Sequence, residues 1–144
     1  MEKLSFEDIS IGYQLPPFKK EVSQEIINKN AVASLDYNPV HTNPEWCEKY
    51  HVFGTTSTVA HGMMTMSFMT SVVTNWATPY GWYISAVESK FTKPVPPGTV
   101  LTCTGFVKDK HYISDNKNFI IIELKAFGQN NEVYAVGQAK VNIC

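Results

Sequence analysis

Charge is scarce in this 144-residue sequence and arginine is missing altogether: twelve basic side chains, all lysine, face thirteen carboxylates and leave a formal charge of -1. A chain this neutral offers neither a nucleic-acid backbone nor an anionic bilayer an electrostatic partner, and both are excluded as principal ligands. Any anionic group must be met by local lysines, of which Lys90, Lys93, Lys108 and Lys110 are the candidates. Cysteine is also rare. Cys47, Cys103 and Cys144 are odd in number and share no short spacing, which argues against a disulfide framework and a structural zinc site and points to a reducing, cytoplasmic setting. No apolar run suits a bilayer span: residues 52–84 carry little charge, but His61, Asn75, Pro79 and many Gly, Ser and Thr residues interrupt them. The N-terminus has Glu2, Glu7 and Asp8 where a secretory signal has an apolar stretch, so no export is expected. Internal repeats and low-complexity segments are absent as well.

What is present is an ordinary globular composition, 44% hydrophobic and 17% charged, at the length of one domain spanning residues 1–144. Gly12 and the Pro16-Pro17 pair allow only a loop or an edge strand over residues 9–19. Ser23 is then placed as an N-cap, with Ile26, Ile27, Ala31, Val32 and Leu35 on one helical face. Asn43-Pro44-Glu45 opens a short helix to Tyr50, and a Gly- and Thr-rich loop follows. From Val59 to about Trp76, apolar residues occupy almost every side of a helical wheel, which predicts a helix surrounded by protein. Beyond Pro79-Tyr80-Gly81 the period changes. Residues 82–95, 99–110, 118–128 and 132–143 are rich in β-branched and aromatic side chains. The turn signals Pro96-Pro97-Gly98, Ser114-Asp115-Asn116 and Gly128-Gln129-Asn130-Asn131 separate them, and they are expected to form an antiparallel meander. One buried helix ahead of four long strands predicts an α+β fold, with an antiparallel β-sheet wrapped around a long central α-helix.

Chemistry concentrates in Asp36-Tyr37-Asn38-Pro39-Val40-His41 and in Ala60-His61-Gly62-Met63. The Asn-Pro pair breaks regular structure, so Asp36 and His41 are expected on an irregular turn rather than a continuous helix. A carboxylate and an imidazole on one turn can share a water molecule and exchange acid and base roles, with His41 the group that titrates near neutral pH. The His-Gly pair stands at the start of the long helix, whose free N–H groups and positive dipole end suit a developing oxyanion; Gly62 permits close approach. The same residues have plainer readings. Asp36 and Asn38 also fit turn and cap residues bonded to local backbone. Asp36, His41 and His61 also fit a two-His-one-carboxylate metal site. His61 reads as structural, its ring bonding backbone, and Cys47, near His51, reads as an inert thiol.

These two motifs and Phe91-Thr92-Lys93-Pro94-Val95 resemble, in order and over nearly the whole chain, the MaoC-like family of hot-dog-fold (R)-specific enoyl-thioester hydratases and dehydratases. Within that family the chain resembles single-hot-dog dehydratases such as the catalytic subunit of the type II fatty-acid synthase (3R)-hydroxyacyl dehydratase. The resemblance implies a hydro-lyase that hydrates trans-2-enoyl thioesters to (3R)-3-hydroxyacyl thioesters or runs in reverse. It implies that Asp36 and His41 hold the catalytic water, that the Gly62 N–H donates to the thioester carbonyl and that Asn38 orders the loop. Thr70 and His61 are implied beside the pocket, and Met63, Met64, Met66 and Met69 suit core packing with adaptable lining for an acyl chain. No metal or redox cofactor is implied. The substrate is expected on the phosphopantetheine of CoA or an acyl carrier protein, and the protein as a homodimer or a heterodimer with a related hot-dog subunit, since relatives build the pocket between two protomers. Three features depart from the pattern: Leu35 stands where a small or polar residue is usual, Cys47 where Ala or Ser is usual, and the interval from His41 to His61 is longer. They bear on substrate size more than on reaction class. A hot-dog acyl thioesterase, and a noncatalytic acyl-thioester-binding or scaffold subunit, are the alternatives; a scaffold has no physical need of the Asp36 and His41 pair.

Overall fold

The computed structural model describes residues 4–115 and 117–143. Met1, Glu2 and Lys3 of the N-terminal segment, Asn116 of the second turn signal, and Cys144 lie outside the described residues. Ser23 caps as the sequence predicts, its hydroxyl accepting from the Ile26 N–H at 3.2 Å to open α1 (Gln24–Ser34). Ile27 and Ala31 bury one turn apart, but Val32 and Leu35 do not. Leu35 turns the chain out of the helix with a left-handed backbone (φ 57°) and is 76% exposed, so the apolar face stops short of it. Two short helices follow, α2 (Pro39–Thr42) and α3 (Pro44–Tyr50). Each begins with an Asn cap and a Pro: Asn38 Oδ1 accepts from Val40 N–H at 3.2 Å, and Asn43 Oδ1 from Trp46 N–H at 3.0 Å.

The long helix, α4 (Gly62–Ala77), begins at Gly62 rather than at Val59. The Val59 N–H goes to the Val40 carbonyl at 3.1 Å and the Ala60 N–H to the Val95 carbonyl at 2.7 Å, which keeps these residues out of the helix. Met64, Met69, Val72, Val73 and Trp76 are buried, as a core helix requires. Met63, Ser67 and Thr74 nevertheless form an exposed stripe, so this chain surrounds the helix on most sides rather than all. Hydroxyls along the helix satisfy themselves locally: Ser67, Thr70, Ser71 and Thr74 each donate to the carbonyl four residues earlier.

Five strands form one antiparallel sheet in the order β1-β3-β4-β5-β2: β1 (Phe18–Val22), β2 (Tyr83–Phe91), β3 (Thr99–His111), β4 (Asn118–Phe127) and β5 (Val133–Ile143). β1 lies at an edge, where the preceding Pro16 and Pro17 cost no ladder bond. β3, β4 and β5 are the expected meander. β2 is not part of it, and pairs with β5 instead of β3, Val87 opposite Ala139. Pro94, Pro96 and Pro97 deny the β2–β3 connection the N–H groups of a tight hairpin, and the chain crosses to the far side of the sheet.

The sheet curls around α4, with Leu101, Val107, Ile122 and Leu124 in one core with Met69, Val72 and Val73. Helix and sheet approach closely at Gly105, where a Cβ would lie 3.0 Å from Leu124 Cδ2 and 3.3 Å from Val72 Cγ1. Glycine in the middle of β3 is therefore a packing requirement. Cys103 shares this interior, and burial pushes its thiol up to about 12, which makes it a packing group rather than a nucleophile. Among the described residues no helix is long and apolar enough to cross a membrane. Met69→Ala, which truncates a fully buried side chain, is expected to cost about 2–5 kcal/mol in urea unfolding, whereas Val32→Ala on the exposed side of α1 changes stability by less than about 0.5 kcal/mol.

Candidate active site

Asp36, His41 and His61 converge from three different segments. After the left-handed Leu35, Asp36 closes an Asx turn in which its Oδ1 accepts from the Asn38 N–H at 3.3 Å. Oδ2 faces two imidazoles, 3.9 Å from His41 Nε2 and 3.9 Å from His61 Nε2. His41 lies within α2, not on the irregular turn expected for it. Pro39 suits the first position of a helix, so the Asn-Pro pair starts one here instead of only ending one.

The orientation of His41 is set by its other nitrogen. Nδ1 lies 2.7 Å from the Val59 carbonyl, which can only accept, so Nδ1 carries the proton and Nε2 presents a lone pair toward Asp36. Gln24 reaches from α1 to donate to the His41 carbonyl at 2.8 Å, and its Oε1 accepts from the Thr58 hydroxyl. Beneath this lies a small apolar cluster of Val40, Cys47 and Val59. The Cys47 thiol faces the Pro39 and Val40 carbonyls and burial raises its pKa, as an inert thiol requires. Burial also pushes the His41 imidazole below its ordinary value; the Val59 bond and the Asp36 charge act against this, and the neighbouring His61 adds to it. His41 is therefore the neutral imidazole at pH 7.

His61 is only 3% exposed and immediately precedes α4, yet its side chain makes no cap bond to that helix. Its Nε2 lies 3.0 Å from the Asp36 carbonyl oxygen, and its ring stacks on His41 with centroids 3.8 Å apart and planes at 27°. The ring does bond backbone, but across to the Asp36 turn. Among the described residues, Asp36, His41 and His61 offer metal-donor atoms within 4.8 Å of one another. The Nε2 hydrogen of His61 is committed to a carbonyl, however, which removes the nitrogen nearest the carboxylate from a ligand set.

A cavity of about 390 Å³ opens beside these residues, lined by His41, Gly62, Thr65, Phe91, Lys93 and Tyr134 among others. Gly62 opens α4, and the N–H groups of a helix's first turn have no intrahelical acceptor. A Cβ at Gly62 would sit 3.0 Å from Phe91 Cε2, so glycine is what lets that ring close against the helix start. Phe53 joins the lining from the loop ahead of α4, with a left-handed backbone (φ 60°). Of the four candidate lysines only Lys93 is in the lining. Thr70 is not brought to this cavity. Its place five residues beyond Thr65 turns it about 140° round the helix, and its hydroxyl donates to the Met66 carbonyl at 2.8 Å. Thr65 lies there instead, and its signal was in the sequence: it follows Gly62, which also lines the cavity, by three residues, hence on the same helical face. Tyr134 had no such signal, because it arrives from β5 through pairing, its carbonyl accepting from Thr92 N–H at 2.8 Å.

Comparison with known proteins bears on the family and the fold. Residues 13–124 match the family described as the MaoC like domain. An (R)-specific enoyl-CoA hydratase of Rhodospirillum rubrum is 33% identical over 114 residues, 76% of this chain and 76% of that protein. The R-hydratase PhaJ1 from Pseudomonas aeruginosa superposes with a TM-score of 0.83 at 18% identity, over 98% of this chain and 86% of that one. The HadBC (3R-hydroxyacyl-ACP dehydratase) complex from Mycobacterium tuberculosis superposes with a TM-score of 0.73 at 15% identity, over 91% and 95%. The two structures carry the same curled sheet around one helix, the hot-dog fold. The sequence match and the fold agree, and the chain belongs to the MaoC-like domain family of hot-dog hydro-lyases.

Proposed function

We propose that the protein catalyses the (R)-specific hydration of trans-2-enoyl thioesters to (3R)-3-hydroxyacyl thioesters, and its reverse, with Asp36 and His41 acting on a shared water. The observation that carries this is the facing of two acceptors, the His41 Nε2 lone pair and Asp36 Oδ2, 3.9 Å apart. Two acceptors cannot bond each other, and 3.9 Å is too long for a hydrogen bond, but one water donating a hydrogen to each bridges them. His41 accepts a proton from that water as the oxygen adds to C3 of the enoyl group, while Asp36 orients the second hydrogen. Electron density moves through C2 to the thioester oxygen, which the Gly62 N–H and the N-terminal end of α4 stabilise. His41 then returns the proton to C2. One water is consumed, its hydroxyl on C3 and its hydrogen on C2, and the pair is restored. The enoyl-CoA named for the Rhodospirillum rubrum hydratase and the 3R-hydroxyacyl-ACP named for HadBC support a thioester substrate carried on CoA or an acyl carrier protein.

The working form is proposed to pair two hot-dog units, either two copies or this chain with a related subunit. Met63 near the start of α4 and Phe53 in the cavity lining are both exposed and leave apolar surface for a second unit to cover. Light scattering on the purified protein is expected to give a dimer mass, and a fully active monomer would contradict the pairing. A metal-assisted reaction at Asp36, His41 and His61 is disfavoured by the commitment of the His61 Nε2 hydrogen to the Asp36 carbonyl, and activity is expected to survive exhaustive chelation. Activity abolished by a chelator and restored by a divalent metal would overturn this.

Asp36→Asn and His41→Ala are each expected to lower turnover of trans-2-butenoyl-CoA by about 10²–10⁴-fold with an unchanged circular dichroism spectrum. Near wild-type turnover in both folded variants would refute the assignment. Loss of enoyl absorbance without release of free thiol separates hydration from thioester hydrolysis, and chiral analysis of the product checks the (R) configuration. Because burial depresses the His41 pKa, the neutral base persists below its ordinary value of about 6.5, and the acid limb of kcat/KM is expected below that pH. The linkage has the same sign: the unfolded chain binds this proton more readily, so the stability His41 contributes is complete above pH about 6.5 and declines as pH falls below it. NMR titration of the His41 ring checks both, and Asp36→Asn moves the midpoint lower still, since the Asp36 charge raises it.

A further inference from the structure

We propose that His61 is a positioning residue for the pair, anchoring the Asp36 turn through its Nε2–H and fixing the plane of the His41 ring by stacking on it. The inference rests on the assignment of Asp36 and His41 as the water-activating pair. Three observations carry it. The Nε2 to Asp36 carbonyl bond, 3.0 Å long, is made by a side chain 25 positions away, and it fixes the Asp36–Tyr37 peptide inside the Asx turn. The stack on His41, 3.8 Å between centroids, leaves that ring no freedom to rotate about its Val59 bond without colliding with His61. The third observation excludes simple packing: His61 Nδ1 is buried and has no hydrogen-bond partner among the described residues. An apolar ring would fill the same space with no unsatisfied atom, so filling the core gives no reason for an imidazole here. The reason lies with the other nitrogen.

Two further consequences follow from the placement. His61 touches neither the proposed water nor the thioester oxygen in this role, so its substitution is expected to lower kcat and leave KM nearly unchanged. It also faces His41 ring to ring, and two imidazolium ions at this separation repel, so His61 helps to keep His41 neutral. The other titratable groups around His41 are Asp36 from the preceding turn, Lys93 from the β2–β3 connection and Tyr134 from β5.

Two variants of similar bulk divide the two contacts. His61→Phe keeps a ring against His41 and removes the donor to Asp36; His61→Gln keeps an N–H donor and removes the ring. His61→Phe is expected to lower kcat by about 10²-fold with KM changed less than about threefold, as for a misplaced catalytic group. His61→Gln is expected to recover about tenfold of that loss and to move the NMR titration midpoint of His41 upward, since the second imidazole is gone. Thermal unfolding confirms that each variant is folded, and the NMR midpoint reads the geometry in whichever variant is folded, independently of turnover. Wild-type kcat in folded His61→Phe, equal losses in both variants, or an unmoved His41 midpoint in His61→Gln would each overturn the proposal. Its failure is separable from failure of the hydratase assignment: the latter shows as activity in Asp36→Asn and His41→Ala, the former as activity in His61→Phe while those two are inactive.

Discussion

A curled sheet with Leu101, Val107, Ile122 and Leu124 on its inner face is stable only if something apolar fills the curl, and α4 fills it. Everything else about the site follows from that burial. Because Met69, Val72 and Val73 lock the middle of the helix against the strands, and Gly105 admits no lateral slack, the first turn at Gly62 is held at a fixed position at the mouth of the curl. The segment leading into it is fixed on both sides, by Val40 through Val59 N–H and by Val95 through Ala60 N–H. Val59 then offers its carbonyl to His41 Nδ1. The core thus determines a tautomer: the same packing that stabilises the fold decides which nitrogen of His41 bears its lone pair.

The electrostatic setting of the pair is deliberately uneven. His41 is largely covered and neutral, while Asp36 remains half exposed with one oxygen tied in its Asx turn. Burying both groups would have forced the carboxylate to take up a proton or demand a cation. Leaving both in water would have surrendered the dry, oriented geometry that makes a weak base useful. The cavity shares that division: His41 lines it together with Phe91 and Val95, and Asp36 is not part of the lining.

Much of this was legible in the sequence, for local reasons. Asn38-Pro39 and Asn43-Pro44 are cap-and-start pairs whose geometry is decided within four residues, and β-branched runs between Gly- and Pro-containing turns mark strands wherever they fall. The convergence of Asp36, His41 and Gly62 could be anticipated through resemblance, since the motifs recur together. What stayed hidden depended on partners distant in sequence. The pairing of β2 with β5, and with it the arrival of Tyr134 at the cavity, is a property of the whole sheet. The bond from His61 to the Asp36 carbonyl joins segments whose relative placement no helical wheel contains. Thr65 was different, a matter of helical phase that the spacing did contain, and Val32 and Leu35 failed because periodicity does not reveal where a helix leaves the core.

The place of β2 at the open edge of the sheet carries a mechanical consequence. Its unpaired side offers a row of backbone groups to any chain that extends the sheet. The same strand runs on into Thr92 and Lys93, tied to the Tyr134 carbonyl, and then to Val95, whose carbonyl grips Ala60 two residues before the helix start. The β2 edge is thus linked by backbone bonds to the Val59–Ala60 peptide, whose carbonyl side holds His41 and whose next residue is His61.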